Sequence, residues 1–440
     1  RPQPIRRAVV RDDADTARRF ARVADTAAVK DDAMRIVRPL PAGDELADDL
    51  PHLHRIGFPS QPPPAHQPTE MRIDGQPRNA ECIAQHDVCG LATEAGQGHQ
   101  LVERVRHLPV EALDKRLTKT SLAICDYLKA PDILGVVEVE NLRVLGLLAD
   151  RINATCINAP AYVPYLVQGN DVGGINVGFL VSNRSLGLTT RVEVLEVTQF
   201  GKNTVLNNPD GSTSLLNDRP PLLLRANVHQ DNGATYPITV VINHLRSLNG
   251  VGDAGPGSNG WPNENARVSA KRSQQAVFLA NLVHARQVAD PNERIVLLGD
   301  FNAFEFNDGY VDVMGIIEGT PAPEAEVITY AASPVATPLI NGSEFILDPS
   351  QRYSYVFDGN AQTLDHAVVN EAVVLGASDL EVEHARINAD FGEHHFGIAG
   401  TPTRVSDHDP VRLRISVPAF RSADLRAIAR VAADPVRLDE

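Results

Sequence analysis

Acids, amides and imidazoles recur in this chain at one kind of place, the polar end of an apolar run. The segments are ILGVVEVEN, ITVVINHLRS, IVLLGDFNAF, QTLDHAVVN and RVSDHDPVRL. They deliver Glu138, then Asn243 and His244, then Asp300 and Asn302, then Asp365, then Asp407 and His408. Five such endings imply one shared site at one edge of a sheet scaffold. Carboxylates, amides and imidazoles together suit a divalent cation and phosphate-ester chemistry.

GDFN is the most specific of these motifs. Asp300 and Asn302 flank Phe301, so in an extended chain they share a face while Phe301 points into packing. Side by side, an acid and an amide can hold and deprotonate a water or grip a phosphate oxygen. The alternative is a turn in which both bond the local backbone. SDHDP is the second strong signal. His408 suits a general base or a phosphate ligand, and Asp407 or Asp409 is placed to orient its ring or raise its pKa. Glu138 sits inside an apolar run, where an unpaired carboxylate costs several kcal/mol, and a metal is its simplest partner. Glu140 and Asn141 beside it suit capping of the next helix. Asn243, His244, Arg246 and Ser247 together suit binding of a phosphate and its developing charge. Asp365 is placed to orient a catalytic side chain. The irregular spacing of His384, His394 and His395 reads as loop rather than metal site. Tyr353 and Tyr355 alternate as strand residues do. Arg272 and Gln275, one helical turn apart, either buttress the acidic site or face solvent.

These residues need elements to carry them. Leu113, Leu117, Ile124 and Leu128 recur at helical spacing until Pro131. Ile133 to Val139 reads as a strand apolar on both faces, as in a layered α/β protein. A second helix presents Leu142, Leu145, Leu148 and Ile152. Strands are expected at NVGFLVS, LLLRANV, ITVVINH, IVLLGDFN, LDHAVVN and VRLRISV, with a long helix from about Asn265 to Gln287. Residues 1–110 differ. They are rich in Arg, Asp, Ala, His and Pro, lack sustained periodicity, and read as an irregular, poorly ordered segment. Residues 418–440 read as a tail with a short polar helix from Ser422.

With 440 residues and 43% hydrophobic content the chain can bury a large core. Its net charge of -15 argues against a general nucleic-acid coat, though not against an enzyme whose cleft is locally positive. Cys125 and Cys156 read as ordinary buried thiols, while Cys82 and Cys89 could pair in an oxidising compartment. No apolar run reaches the roughly 18 residues of a membrane span, no signal peptide is seen, and no obligate protein partner is evident.

In order and content these motifs resemble the endonuclease/exonuclease/phosphatase superfamily, the DNase I-like fold, from about Glu111 to Val417. EVEN, NHLRS, R-x-x-Q-A at Arg272 to Ala276, GDFN, YSYVFDG, LDH and SDHDP are similar to its secreted bacterial nuclease branch. The resemblance implies a four-layer α/β/β/α sandwich over residues 111–417, with the site at one end of its sheets. It implies Glu138 as metal ligand, His244 on the scissile phosphate, Asp300 activating water, and Asn302 positioning it. It also implies Asp365 paired with His408, Asp407 supporting the metal, and Mg²⁺ as cofactor, with Mn²⁺ or Ca²⁺ as substitutes. The expected activity is hydrolysis of nucleic acid, DNA foremost, by a secreted enzyme. The alternatives are phospholipid or inositol phosphate head groups as substrates, or a non-catalytic relative. One departure stands out: the superfamily opens with a strand carrying a site Asn, and none is legible before Glu111.

Overall fold

The computed structural model describes residues 33–35, 110–157 and 159–418. The expected pairing of Cys82 with Cys89, the irregular character of residues 1–109 and the helix from Ser422 lie outside the described residues.

The first helix, α1 (Val110–Leu122), runs into a π-helical turn, Ala123–Tyr127. That turn swings Ile124 and Leu128 into the core alongside Leu117. Lys129 and Ala130 then take left-handed φ of 61° and 50°, and Pro131 blocks any continuation. Strand β1 (Ile133–Val139) follows, then α2 (Leu142–Thr155), capped by Asn141, whose side chain accepts from Val144 N–H. Val144, Leu145, Leu148 and Ile152 are buried; Leu142, at the first turn, is exposed, contrary to the sequence pattern. A disulfide joins Cys125 in the π turn to Cys156 just past α2, so the reading of these two as free thiols is corrected. Each lies where a helix ends, and tertiary packing brings the two ends together.

β2 (Tyr162–Leu166) and β3 (Asn176–Ser182) complete a three-stranded sheet of order β1-β3-β2. The larger sheet has six strands. They are β4 (Val192–Gln199), β5 (Leu222–His229), β6 (Thr235–His244), β7 (Ile295–Asp300), β8 (Ile340–Asn341) and β9 (Asp365–Val369), in the order β8-β9-β7-β6-β5-β4. β6 and β7 are parallel, joined over the 26-residue helix α3 (Glu264–Ala289); the other pairings are antiparallel. β10 (Asp379–His384) pairs with β11 (Val411–Ser416), whose far edge takes a short strand, Ala33–Arg35. The sequence reading assigned no strand before Glu111; three residues are too few to show a period.

Alternation within the six strands sorts the layers. Leu224, Val240, Ile242, Val296, Leu298 and Ala367 face one way, into a core shared with Ile133, Phe179, Val382, Leu413 and Ile415 of the smaller sheets. Leu223, Val241, Leu297 and Val368 face the other way, against Ala276, Leu279 and Val283 of α3 and against α4 (Val313–Glu318). The helices α1 and α2 add Leu117, Leu145 and Ile152 to the first core. The result is a four-layer α/β/β/α sandwich, as expected from the sequence.

Candidate active site

Register places the first three groups. His244 at the end of β6 lies opposite Asp300 at the end of β7, and Asp300 lies opposite Asp365 at the start of β9. Side chains in register on neighbouring strands share a face, and these share the inner face with Val240, Leu298 and Ala367. The row emerges between the two sheet layers. His244 Nε2 is 3.5 Å from Asp300 Oδ2 and 4.0 Å from Glu138 Oε1.

Glu138 comes from the opposite layer. The pairing of β1 with β3 breaks between Val136 and Val139, and Glu138 sits in that bulge with φ of 58°. A left-handed Glu is strained by about 1–3 kcal/mol and persists where the fold over-determines it. Asn302, just after β7, has φ of 49°. Its backbone N–H donates to Asp300 Oδ1 (2.7 Å) and its Nδ2 donates to Asp300 Oδ2 (2.9 Å) and Leu245 O (3.1 Å). Asn302 therefore orients Asp300. Gly299 makes the turn possible: at φ of 124°, a Cβ there would stand 2.0 Å from Asn243 O. Phe301 is fully buried, as the sequence implies.

His408 completes the cluster from the loop before β11. Its Nδ1 is 2.7 Å from Asp365 Oδ2. Burial works against its charge, but Asp365, by charge and hydrogen bond, with Asp300 and Asp407, outweighs burial and pushes the imidazole up to about 10. Asp300 is pushed up to about 7, first by burial and then by Asp365 and Glu138, against His408 and the Asn302 amide. Glu138, Asp300, Asp365, Asp407 and His408 line one cavity of about 180 Å³, whose inner end is apolar with Leu117, Val136, Leu145 and Leu148. Asp300, Asp365 and His408 bring ligand atoms within 4.8 Å of one another. Glu138 and Asp407 line the same cavity, while Asp365 is engaged by His408.

Two sequence assignments change. Asn243 alternates with His244 and so turns to the helix-covered face with Val241. It is fully buried, donating to Val241 O (3.1 Å) and Leu298 O (3.4 Å), out of reach of a substrate. Asp409 does not orient His408. Its buried carboxylate accepts from Ile387, Asn388 and Ala389 N–H and from Arg386, fixing the loop behind the motif. Arg246 and Ser247 lie just beyond His244, the Arg246 guanidinium on Ser247 Oγ (2.6 Å) and Asn249 O (3.0 Å).

No family model matches the chain, and no curated protein matches it. Solved structures similar to it include the truncated TDP2 of Caenorhabditis elegans, 14% identical, covering 70% of this chain and 93% of that one at a TM-score of 0.42. The human Nocturnin catalytic domain is 15% identical over 70% of this chain and 87% of that one, TM-score 0.40. An endonuclease/exonuclease/phosphatase from Bacteroides vulgatus is 14% identical over 69% and 91%, TM-score 0.40.

Several supports were not assigned from the sequence. His366, next to Asp365, is fully buried; its Nε2 faces Ala303 O (2.9 Å) and its Nδ1 faces Asn341 Nδ2 (3.1 Å), pinning the segment after GDFN. Burial lowers its pKa and keeps it neutral. Lys119 of α1, 3% exposed, donates to the carbonyls of His395, Ile398, Thr401 and Thr403 at 2.8–3.1 Å, gathering the loop that leads to Asp407. Arg272 and Gln275 do buttress the site. Arg272 donates to Asp308 Oδ2 (2.6 Å) and Asn302 O (3.1 Å), while Gln275 Oε1 accepts from Arg246 N–H (2.7 Å). His384, expected in a loop, is buried in β10.

Proposed function

We propose that the protein is a divalent-metal-dependent phosphodiesterase of the endonuclease/exonuclease/phosphatase superfamily that hydrolyses nucleic acid, DNA foremost. The in-register row of His244, Asp300 and Asp365, facing Glu138 across the layers, carries this reading.

Asp300 is the general base. A carboxylate near pKa 7 accepts a proton from water at neutral pH, and Asn302 aims it. His408, held protonated by Asp365, presents a cation and an N–H to the phosphate oxygens and to the leaving oxygen. His244 reaches the same centre from the adjacent strand, and Arg246 offers charge to a neighbouring phosphate. Glu138 and Asp407 would hold a divalent cation, with Mg²⁺ the leading choice, which would add positive charge beside the phosphate. In an in-line displacement Asp300 would serve the attacking water and His408 the leaving oxygen.

The Cys125–Cys156 disulfide supports folding outside the reducing cytoplasm, and so a secreted protein. No helix among the described residues is long and apolar enough to cross a membrane.

The test is a substrate panel of plasmid DNA, RNA, sphingomyelin and an inositol phosphate, each with Mg²⁺, run with the parent and His408→Ala. Hydrolysis of DNA by the parent and a loss of about 100-fold or more in the variant support the reading. Turnover confined to a head-group substrate, or full activity of the variant, rejects it.

A further inference from the structure

Beside the cluster, an aromatic ladder leads from the site to solvent. Tyr355 lies on the His408 ring, centroids 4.5 Å apart at 30°. Phe357 continues the stack, 6.4 Å from Tyr355 at 18°, and is 54% exposed. Both belong to a strand, Tyr355–Phe357, paired antiparallel with Asn360–Gln362. Asp358 and Gly359 turn the hairpin, with φ of 48° and 77°. Strand alternation puts Tyr355 and Phe357 on one face and Val356 on the other.

A large apolar ring exposed in a polar hairpin has a desolvation gain still to be made. Asp407, Asp300 and Asp358 stand near Tyr355 with Arg404 and the His408 imidazole, so the ladder is no concentrated cationic site of the kind that would hold a phosphate by itself. What the ladder offers is a flat apolar face, next to the imidazole that the mechanism puts on the phosphate. The group attached to a nucleic-acid phosphate that has such a face is the base. A paired base in a duplex is covered on both faces by its neighbours and must unstack to reach Phe357, whereas an unpaired one need not.

We propose that Tyr355 and Phe357 form a stacking subsite for the nucleobase beside the scissile phosphate, making single-stranded DNA the preferred substrate. This rests on the phosphodiesterase reading above.

The test uses fluorescence anisotropy in EDTA, so that binding is read without turnover. The probe is a short labelled single-stranded oligodeoxynucleotide, alone, annealed to its complement, or carrying abasic residues throughout. The proteins are the parent, Phe357→Ala, Phe357→Trp and, as a control on the opposite face, Val356→Ala, with thermal melting to check folding. Phe357→Ala is expected to weaken single-strand binding about ten-fold, in the range for one stacked base. Phe357→Trp restores it, and Val356→Ala matches the parent. On the abasic probe the parent falls to the level of Phe357→Ala. Equal binding by parent and Phe357→Ala, or equal weakening on intact and abasic probes, overturns the ladder while leaving the phosphodiesterase reading standing. A parent that binds no oligonucleotide overturns the ladder, and with DNA hydrolysis also absent it overturns both.

Discussion

Arg272 is the buried charge on which the site geometry leans most, and replacing it with Met separates its two jobs. Its side chain is 1% exposed and that of its partner Asp308 is 7% exposed. Met keeps most of the volume, so the cost comes from leaving Asp308 buried without its cation. Breaking one member of a buried pair costs about 3–5 kcal/mol. In a domain of this size about 2 °C of melting temperature follows each kcal/mol, so the midpoint should fall by about 6–10 °C. Asp308 Oδ1 still accepts from Tyr310 and Val311 N–H, and the second variant, Asp308→Asn on top of Arg272→Met, keeps those bonds while removing the stranded charge. It should recover at least half of the loss. Activity should not recover with it. Arg272 Nη2 also holds Asn302 O at 3.1 Å, and Asn302 provides both donors that orient Asp300. A charged hydrogen bond is worth about 1.5–3 kcal/mol, so hydrolysis should drop about ten- to a hundred-fold in single and double variant alike. Melting by calorimetry and initial rates on DNA measure the two effects. A single variant within about 1 kcal/mol of the parent, or a double variant with restored rate, refutes the reasoning.

Three further outcomes are expected. His384 is held down to about 3 by burial, against Asp365. Its unfolded value is the higher one, so stability is complete above about pH 6.5 and falls by about 1.4 kcal/mol per pH unit as pH drops from there toward 3. His384→Leu should flatten that slope in melts between pH 4 and 7 by about that amount, and an unchanged slope counts against it. Reducing Cys125–Cys156, a separation of 31 residues, should destabilise by about 3–4 kcal/mol, read as a lower denaturant midpoint in dithiothreitol; no shift would mean the bond does not brace α1 and α2. Glu138→Gln keeps the shape of the bulge but removes a metal-holding charge. It should raise the Mg²⁺ concentration needed for half-maximal hydrolysis by about ten-fold or more, and an unaltered Mg²⁺ response removes Glu138 from the metal.

What was legible in the sequence followed local rules. Apolar runs buried on both faces announced β1, β6, β7 and β9, and their polar ends announced the site. His384 reads as a loop residue by its spacing to other histidines, although the alternation of Leu380, Val382 and His384 in DLEVEH is a strand signal. Alternation in ITVVINH also shows that Asn243 and His244 oppose each other, but not which one faces the cluster; the register with β7 decides that. Adjacency misled in part at SDHDP. Of the two neighbours, Asp407 adds charge that raises His408 while Asp409 turns away to Arg386 and the loop amides; the hydrogen-bonded partner is Asp365, 43 residues away, which the family resemblance implied and adjacency did not. Lys119 and the Cys125–Cys156 pair depend on where helix ends and a distant loop meet, which spacing alone does not state.

The most direct measurement is the rate of DNA hydrolysis by the parent and by Asp300→Asn, in EDTA and after adding back Mg²⁺. The parent should be silent in EDTA and recover with Mg²⁺, and Asp300→Asn should stay silent in both, because its amide cannot take the proton from water. EDTA-resistant hydrolysis by the parent, or Mg²⁺-restored hydrolysis by Asp300→Asn at the parent's rate, would contradict the assignment.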